Sequence, residues 1–218
     1  PFSVLFRGCS FLLMYKAGVF AALRELSPLI LKSASRICSG ASSGSVVAAL
    51  ALCERDIGKG YALPFVLAVK TSFWGLFPGR KILKTLKDLL NKYLPVNAHQ
   101  LVSGRLHVIL TRVRDWRSVV VSELASREDL IQAIMCSCFI PLYSGFLPPA
   151  NHGVRYVDGE LSMWQANFVS WTTITVSAFT GECDICPKDS PAAFFTFQLS
   201  DCVLQISKRN MCHLQYIF

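Results

Sequence analysis

Apolar runs broken by short polar or glycine-bearing stretches predict strands alternating with helices. Residues 1–6 (PFSVLF) are nearly continuously apolar and read as a buried first strand. Arg7-Gly8-Cys9-Ser10 then interrupts the run. Over residues 11–26, Leu12, Tyr15, Val19, Ala22 and Leu23 recur at helical spacing. Residues 35–38 predict a second short strand. Gly40-Ala41-Ser42-Ser43-Gly44 is a tight turn, and residues 45–53 are apolar and rich in helix formers. Residues 55–70 read as helical with a break at Pro64, and residues 71–79 crowd Phe73, Trp74, Leu76 and Phe77 together. Over residues 80–93 the pattern becomes amphipathic. Ile82, Leu83, Leu86, Leu89, Leu90 and Tyr93 share one face, and Arg80, Lys81, Lys84, Lys87 and Lys92 lie mostly on the other.

The second half continues the alternation. Residues 105–112 and 118–122 predict two strands joined at Arg114-Asp115-Trp116. A helix starts at Ser126-Arg127-Glu128-Asp129, with acids in its first turn, and runs to about Cys138. Residues 143–153 are a Pro- and Gly-rich loop. Residues 154–157 form a short strand feeding Asp158-Gly159, residues 172–178 a further strand, residues 181–191 a loop, and residues 194–218 carry weak helical signals. This order argues an α/β layered fold. The domain reading is one unit over residues 2–190, with residues 191–218 starting a C-terminal extension.

Composition narrows the classes. Apolar residues make up 52% of the 218-residue chain, enough for one sizeable core. The net charge is +8, which favours an anionic surface as partner. No basic run interleaves with aromatics, so lipid fits better than nucleic acid. No apolar run reaches the length of a spanning helix. The nine cysteines are odd in number and often sit within apolar runs, as in a reducing compartment. Cys183 and Cys186 form a close pair without the second pair a zinc site needs. No cofactor is expected. The chain begins at Pro1 and stops inside an apolar stretch at Phe218, so it reads as a fragment from which any targeting signals would be missing.

Chemistry concentrates at the second glycine-bearing turn. Strand, Gly40-Ala41-Ser42-Ser43-Gly44, buried helix is the context of a G-x-S-x-G nucleophile elbow. Gly40 and Gly44 would let the backbone pack tightly around Ser42, whose hydroxyl would emerge at a helix N-terminus. A small-residue loop before a core helix reads the same way. A serine nucleophile needs a base. His152 would complete a Ser-His-Asp triad. Asp158, at the end of a strand, would take the proton directly if its carboxylate met Ser42, although Asp-Gly is also an ordinary turn pair. The loop after the first strand does not meet the dinucleotide fingerprint, because Ser10 and Leu13 stand where its second and third glycines would, and the Walker pattern fails there and at Gly40 because no Gly-Lys-Ser/Thr follows.

Several stretches together resemble the patatin-like phospholipase family, in its adiponutrin and adipose triglyceride lipase branch. They are Gly8-Cys9-Ser10-Phe11-Leu12, Gly40-Ala41-Ser42-Ser43-Gly44, residues 136–149, Gly153-Val154-Arg155-Tyr156-Val157-Asp158-Gly159, Thr173-Ile174-Thr175-Val176 and residues 181–187. The resemblance implies a three-layer α/β/α fold with a central, mostly parallel sheet. It implies a Ser-Asp dyad of Ser42 and Asp158 without a catalytic histidine. Amides near Gly8, Cys9 and Ser10 would form the oxyanion hole. It also implies glycerolipid or other acyl-lipid substrates, a cytoplasmic protein peripheral on lipid droplets or membranes, and a regulatory activator protein as a further partner. Some members transfer the acyl group to a lipid alcohol instead of water. Three departures stand out: Ser10 and Leu13 replace loop glycines, Glu160 follows Asp158-Gly159, and Ser162-Met163-Trp164-Gln165 lacks the Asp-Asn of the triglyceride lipases. They point to the branch that forms skin acylceramides, or to a degenerate copy. Glu160, if turned to the site, would raise the pKa of Asp158; otherwise it faces solvent. The expected activity is serine lipid acyl hydrolysis or transacylation. The alternative is a catalytically weak lipid-binding or regulatory protein on the same fold.

Overall fold

A central strand organises the sheet. In this computed structural model, which describes residues 2–9, 12–34, 36–39, 42–54, 78–165, 172–188, 195–199 and 202–217, β1 (Ser3–Phe6) is buried at every position. It pairs in parallel with β2 (Arg36–Ser39) on one edge and β7 (Thr173–Val176) on the other. A strand enclosed on both sides carries no polar alternation, which explains the continuous apolar run.

β3 (Leu106–Arg112) decides where the site lies. It pairs in parallel with β2 from Ile37↔Leu106 to Ser39↔Val108. It pairs antiparallel with β4 (Arg117–Val121) over Val108 to Arg112, and with β6 (Val154–Asp158) over Leu110 to Arg112. A strand has two hydrogen-bonding edges. β4 overlaps both other partners in register, so β2 and β6 must share the opposite edge. β2 runs with β3 and β6 runs against it. Their C-terminal ends therefore face each other, at the register positions of Val108 and Leu110. Two residues of strand span about 7 Å. The chain leaves β2 toward Ser42 and arrives at Asp158 in β6, so the two meet by topology. The sheet is parallel from β3 through β2 and β1 to β7. Beyond β3 it is antiparallel and ends with β5 (Ala150–Asn151) on β6.

The helices follow from their sequence patterns. α1 (Leu13–Leu26) leads, by way of Ser27, into α2 (Pro28–Ser33), which the sequence reading did not anticipate; Pro28 at its first turn has no amide to satisfy. α3 (Ser43–Leu52) is buried from Ser43 to Ala51, as a helix without a polar face must be. In α4 (Pro78–Tyr93) Leu86 and Leu90 enter the core while Lys84, Lys87 and Lys92 are exposed. Its apolar face is thus spent on the protein, and only the lysine face remains for an outside surface. The short α5 (Ala98–Val102) buries Ala98 and Val102. In α6 (Arg127–Ser137) the Ser126 hydroxyl accepts the Asp129 amide at 3.0 Å, with Glu128 and Asp129 in the first turn, as the sequence predicts.

The C-terminal part corrects the expected helical signal over residues 196–199 and 202–205 and keeps it over residues 208–217. A hairpin, β8 (Thr196–Leu199) and β9 (Cys202–Gln205), precedes α7 (Lys208–Ile217). The β-prone Thr-Phe and Cys-Val pairs favour strand there. The hairpin docks on residues 180–182 through Glu182 N–H to Val203 O (2.9 Å) and Gln205 N–H to Thr180 O (2.9 Å). The Asn210 amide donates to both Thr180 O and Gln205 O at 2.7 Å, tying α7 to the same loop. The expected helix over residues 55–70 and the aromatic cluster at residues 73–77 lie outside the described residues.

Candidate active site

Ser42 sits where strand becomes helix, and its backbone is strained. Its φ of 65° and ψ of −129° are rare for a residue with a side chain, and such strain concentrates at functional turns. Neighbours hold it there. Its amide donates to Ser137 Oγ (3.0 Å), and that hydroxyl donates to Ile109 O (3.0 Å). Its carbonyl accepts the Ser45 amide (3.0 Å) and hydroxyl (2.6 Å). Gly44 is required, because a Cβ there would collide with the Phe6 carbonyl oxygen. Gly40 lies outside the described residues.

Asp158 is the last residue of β6 and is 5% exposed. Its amide donates to Phe139 O (2.9 Å), and its carbonyl accepts the Thr111 hydroxyl (2.7 Å). A Cβ on Gly159 would strike the Ile109 carbonyl, so the chain can turn away from the strand only at glycine. The carboxylate accepts the Glu160 amide on Oδ1 (3.0 Å) and the Ser42 hydroxyl. Burial pushes Asp158 up to about 8. The nearby Glu160 charge adds to the rise, while the Glu160 amide, the Ser42 hydroxyl and the Lys16 ammonium oppose it.

The loop after β1 is closed by side chains. The Gly8 amide donates to Glu160 Oε1 (2.5 Å), and Arg7 Nη2 pairs with Glu160 Oε2 (3.2 Å). Glu160 therefore turns inward, onto the loop beside Asp158. The Cys9 amide donates to Ser43 Oγ (3.1 Å). Both of these expected oxyanion donors thus hold a partner, and Ser10 lies outside the described residues.

Two further groups escaped the sequence reading. The buried face of α1 is Leu13, Lys16, Ala17 and Phe20, one position round from the predicted face, and Ala22 is exposed. That rotation carries Lys16 inside, wholly buried, with Nζ 3.3 Å from Ser43 Oγ. The hint in the sequence was the equal periodicity of Leu13, Ala17 and Phe20, which a lysine in their midst disguised. The second group is Cys138, whose thiol lies by the Ser42 and Ser45 hydroxyls. Burial and the Asp158 charge push its pKa up, so it stays a protonated thiol and no rival nucleophile.

The histidine alternative is not assembled. His152 is 73% exposed in the β5–β6 turn, with Nε2 3.0 Å from Asp129 Oδ1. Asp129 lies in the first turn of α6 while Ser137 ends it, about 12 Å apart along a helix axis. His107 lies within β3 with Nδ1 3.1 Å from Arg105 O. Among the described residues no group of His, Cys, Asp and Glu could hold a metal ion. Cys186 Sγ lies 3.5 Å from both the Gly181 and Cys183 carbonyls.

A family model described as patatin-like phospholipase matches residues 4–163. The chain is 43% identical over 220 residues to a human omega-hydroxyceramide transacylase, covering 99% of this chain and 41% of that protein. It is 38% identical over 215 residues to human patatin-like phospholipase domain-containing protein 2, covering 97% of this chain and 42% of that protein. It is 38% identical over 219 residues to a human 1-acylglycerol-3-phosphate O-acyltransferase, covering 99% and 45%. The chain spans less than half the length of each of these relatives.

Proposed function

Since this chain belongs to the patatin-like phospholipase family, we propose that it is a serine lipid acyl hydrolase or transacylase in which Ser42 is the nucleophile and Asp158 its base. The hydrogen bond from Ser42, held at a strained elbow, to the buried Asp158 carboxylate carries the reading. As Ser42 Oγ attacks the ester carbonyl, Asp158 takes the hydroxyl proton. Collapse of the tetrahedral intermediate expels the lipid alcohol, which receives that proton, and leaves the acyl group on Ser42. Water or a second lipid alcohol then attacks the acyl-enzyme, giving its proton to Asp158; collapse breaks the bond to Ser42 Oγ, which takes that proton back as the free acid or new ester leaves. The oxyanion would need the Gly8 amide, so Glu160 must leave it for catalysis.

Relatives named for transacylation onto a ceramide and for O-acyl transfer to an acylglycerol phosphate support acyl lipids as substrates. A peripheral position on a cytoplasmic lipid surface fits the exposed apolar loop that leaves Phe139, whose carbonyl binds the Asp158 amide. That loop presents Leu142, Phe146 and Leu147, 70–74% exposed. Among the described residues no helix is long and apolar enough to cross a membrane.

A fluorophosphonate probe, which reacts with activated serines, tests the reading. Wild type is expected to label and Ser42→Ala to lose the label and all ester hydrolysis. A folded wild type that does not label overturns it. The alternative, a catalytically weak lipid-binding protein, is favoured by the bonds that Gly8 and Cys9 already make. Glu160→Gly separates the two. At least a tenfold gain in activity from a low start supports lost catalysis in the wild type; no change from a robust start refutes it.

A further inference from the structure

Lys16 is a buried charged side chain that the mechanism above leaves without a task. It is wholly buried in the inward face of α1, between Leu13 and Phe20. A buried ammonium is costly unless hydrogen-bonded and faced by negative charge. Its Nζ donates to Ser43 Oγ at 3.3 Å, and the same oxygen accepts the Cys9 amide at 3.1 Å. Ser43 follows Ser42, whose hydroxyl donates to Asp158. The Ser43 hydroxyl thus joins α1, the loop after β1 and the nucleophile turn, and it holds the Lys16 ammonium within electrostatic reach of the buried carboxylate.

We propose that Lys16 is a positioning residue of this site: its ammonium ties α1 to the nucleophile turn at the Ser43 hydroxyl and supplies the cation opposed to Asp158. This rests on the reading of Ser42 and Asp158 as the reacting pair. No bond to Lys16 forms or breaks. Its charge keeps the Asp158 carboxylate able to accept the Ser42 proton, and then remains beside the oxyanion that develops once Asp158 is neutral. Among the described residues, the charged and titratable groups facing Asp158 are few. Glu160 from the following turn opposes its ionisation, with Arg7 paired to Glu160; Cys138 from the end of α6 is a neutral thiol; Lys16 from α1 favours ionisation.

The test is the pH profile of fluorophosphonate labelling on the full 218-residue chain, for wild type, Lys16→Gln and Lys16→Arg. A parallel 13C NMR titration follows the Asp158 carboxyl, assigned by its loss in Asp158→Asn. Gln keeps a donor for Ser43 without the charge; Arg keeps the charge. The expected result is a midpoint about one unit higher in Lys16→Gln, by both readouts, and near wild type in Lys16→Arg. A Lys16→Gln midpoint equal to wild type overturns the proposal, because a merely structural lysine would alter stability and leave the midpoint in place. Should Lys16→Gln not fold, Ser43→Ala decides. It removes the anchor, so labelling should fall severalfold, and an unchanged rate overturns the proposal. A wild type that does not label refutes the Ser42–Asp158 reading instead, and the NMR titration still judges Lys16.

Discussion

Asp158 meets opposed demands. The proposed reaction needs its carboxylate, while burial favours its acid form. With a pKa near 8, roughly one molecule in ten is ionised at pH 7. Labelling of Ser42 should therefore rise with pH and level off above about 8; a flat profile from pH 6 to 9 would contradict this. The same shift has a stability consequence. The folded carboxyl holds its proton up to about 8 and the unfolded one releases it near 3.8, so between these values the folded state binds more protons. Stability then falls as pH rises through that window. Asp158→Asn is expected to flatten this part of the Tm–pH curve while abolishing labelling. A Tm that varies with pH identically in both proteins would rule the assignment out.

At the scale of elements, the site is made by ends. The end of β2 delivers Ser42, the end of β6 delivers Asp158, and the end of α6 brings Ser137 and Cys138 against both. α6 must hold its position, yet its N-terminus is remote from the chemistry. Ser126→Ala removes the cap that accepts the Asp129 amide and should destabilise the chain by about 1 kcal/mol. Denaturant midpoints would read that loss, with the Ser42 labelling rate of the folded protein unchanged. A labelling rate that falls with the midpoint would mean that α6 transmits strain to the elbow.

The whole molecule has a charge of +8 and an apolar loop beside the site. For the proposed lipid surface they act by different physics: the net charge favours anionic headgroups, and the loop favours insertion whatever the headgroup charge. Charge attraction is screened within about 8 Å at physiological salt, while apolar insertion is not weakened by salt. Binding to vesicles of anionic phospholipid should weaken severalfold in Lys81→Glu/Lys84→Glu/Lys87→Glu and at high salt. The remainder should be lost in Leu142→Ser/Phe146→Ser/Leu147→Ser. Undiminished sedimentation of both variants with vesicles would show that neither surface touches lipid.

Local signals in the sequence were enough for much of this. The apolar run of β1, the capped start of α6, the Gly-Ala-Ser-Ser-Gly turn and the strand ending in Asp158 are all short-range patterns. They sufficed for the α/β class, for Ser42 and Asp158 as candidates, and, through the resemblance, for the family. Other features depend on contacts between residues distant in sequence. That Asp158 and not His152 lies at Ser42 needed β2 and β6 placed end to end on β3. The inward turn of Glu160 onto Gly8 and Arg7 spans more than 150 positions. The burial of Lys16 depended on which face of α1 met Ser43, and two faces of that helix were nearly equal in apolar content. Periodicity reports how apolar a face is; only packing decides what it faces.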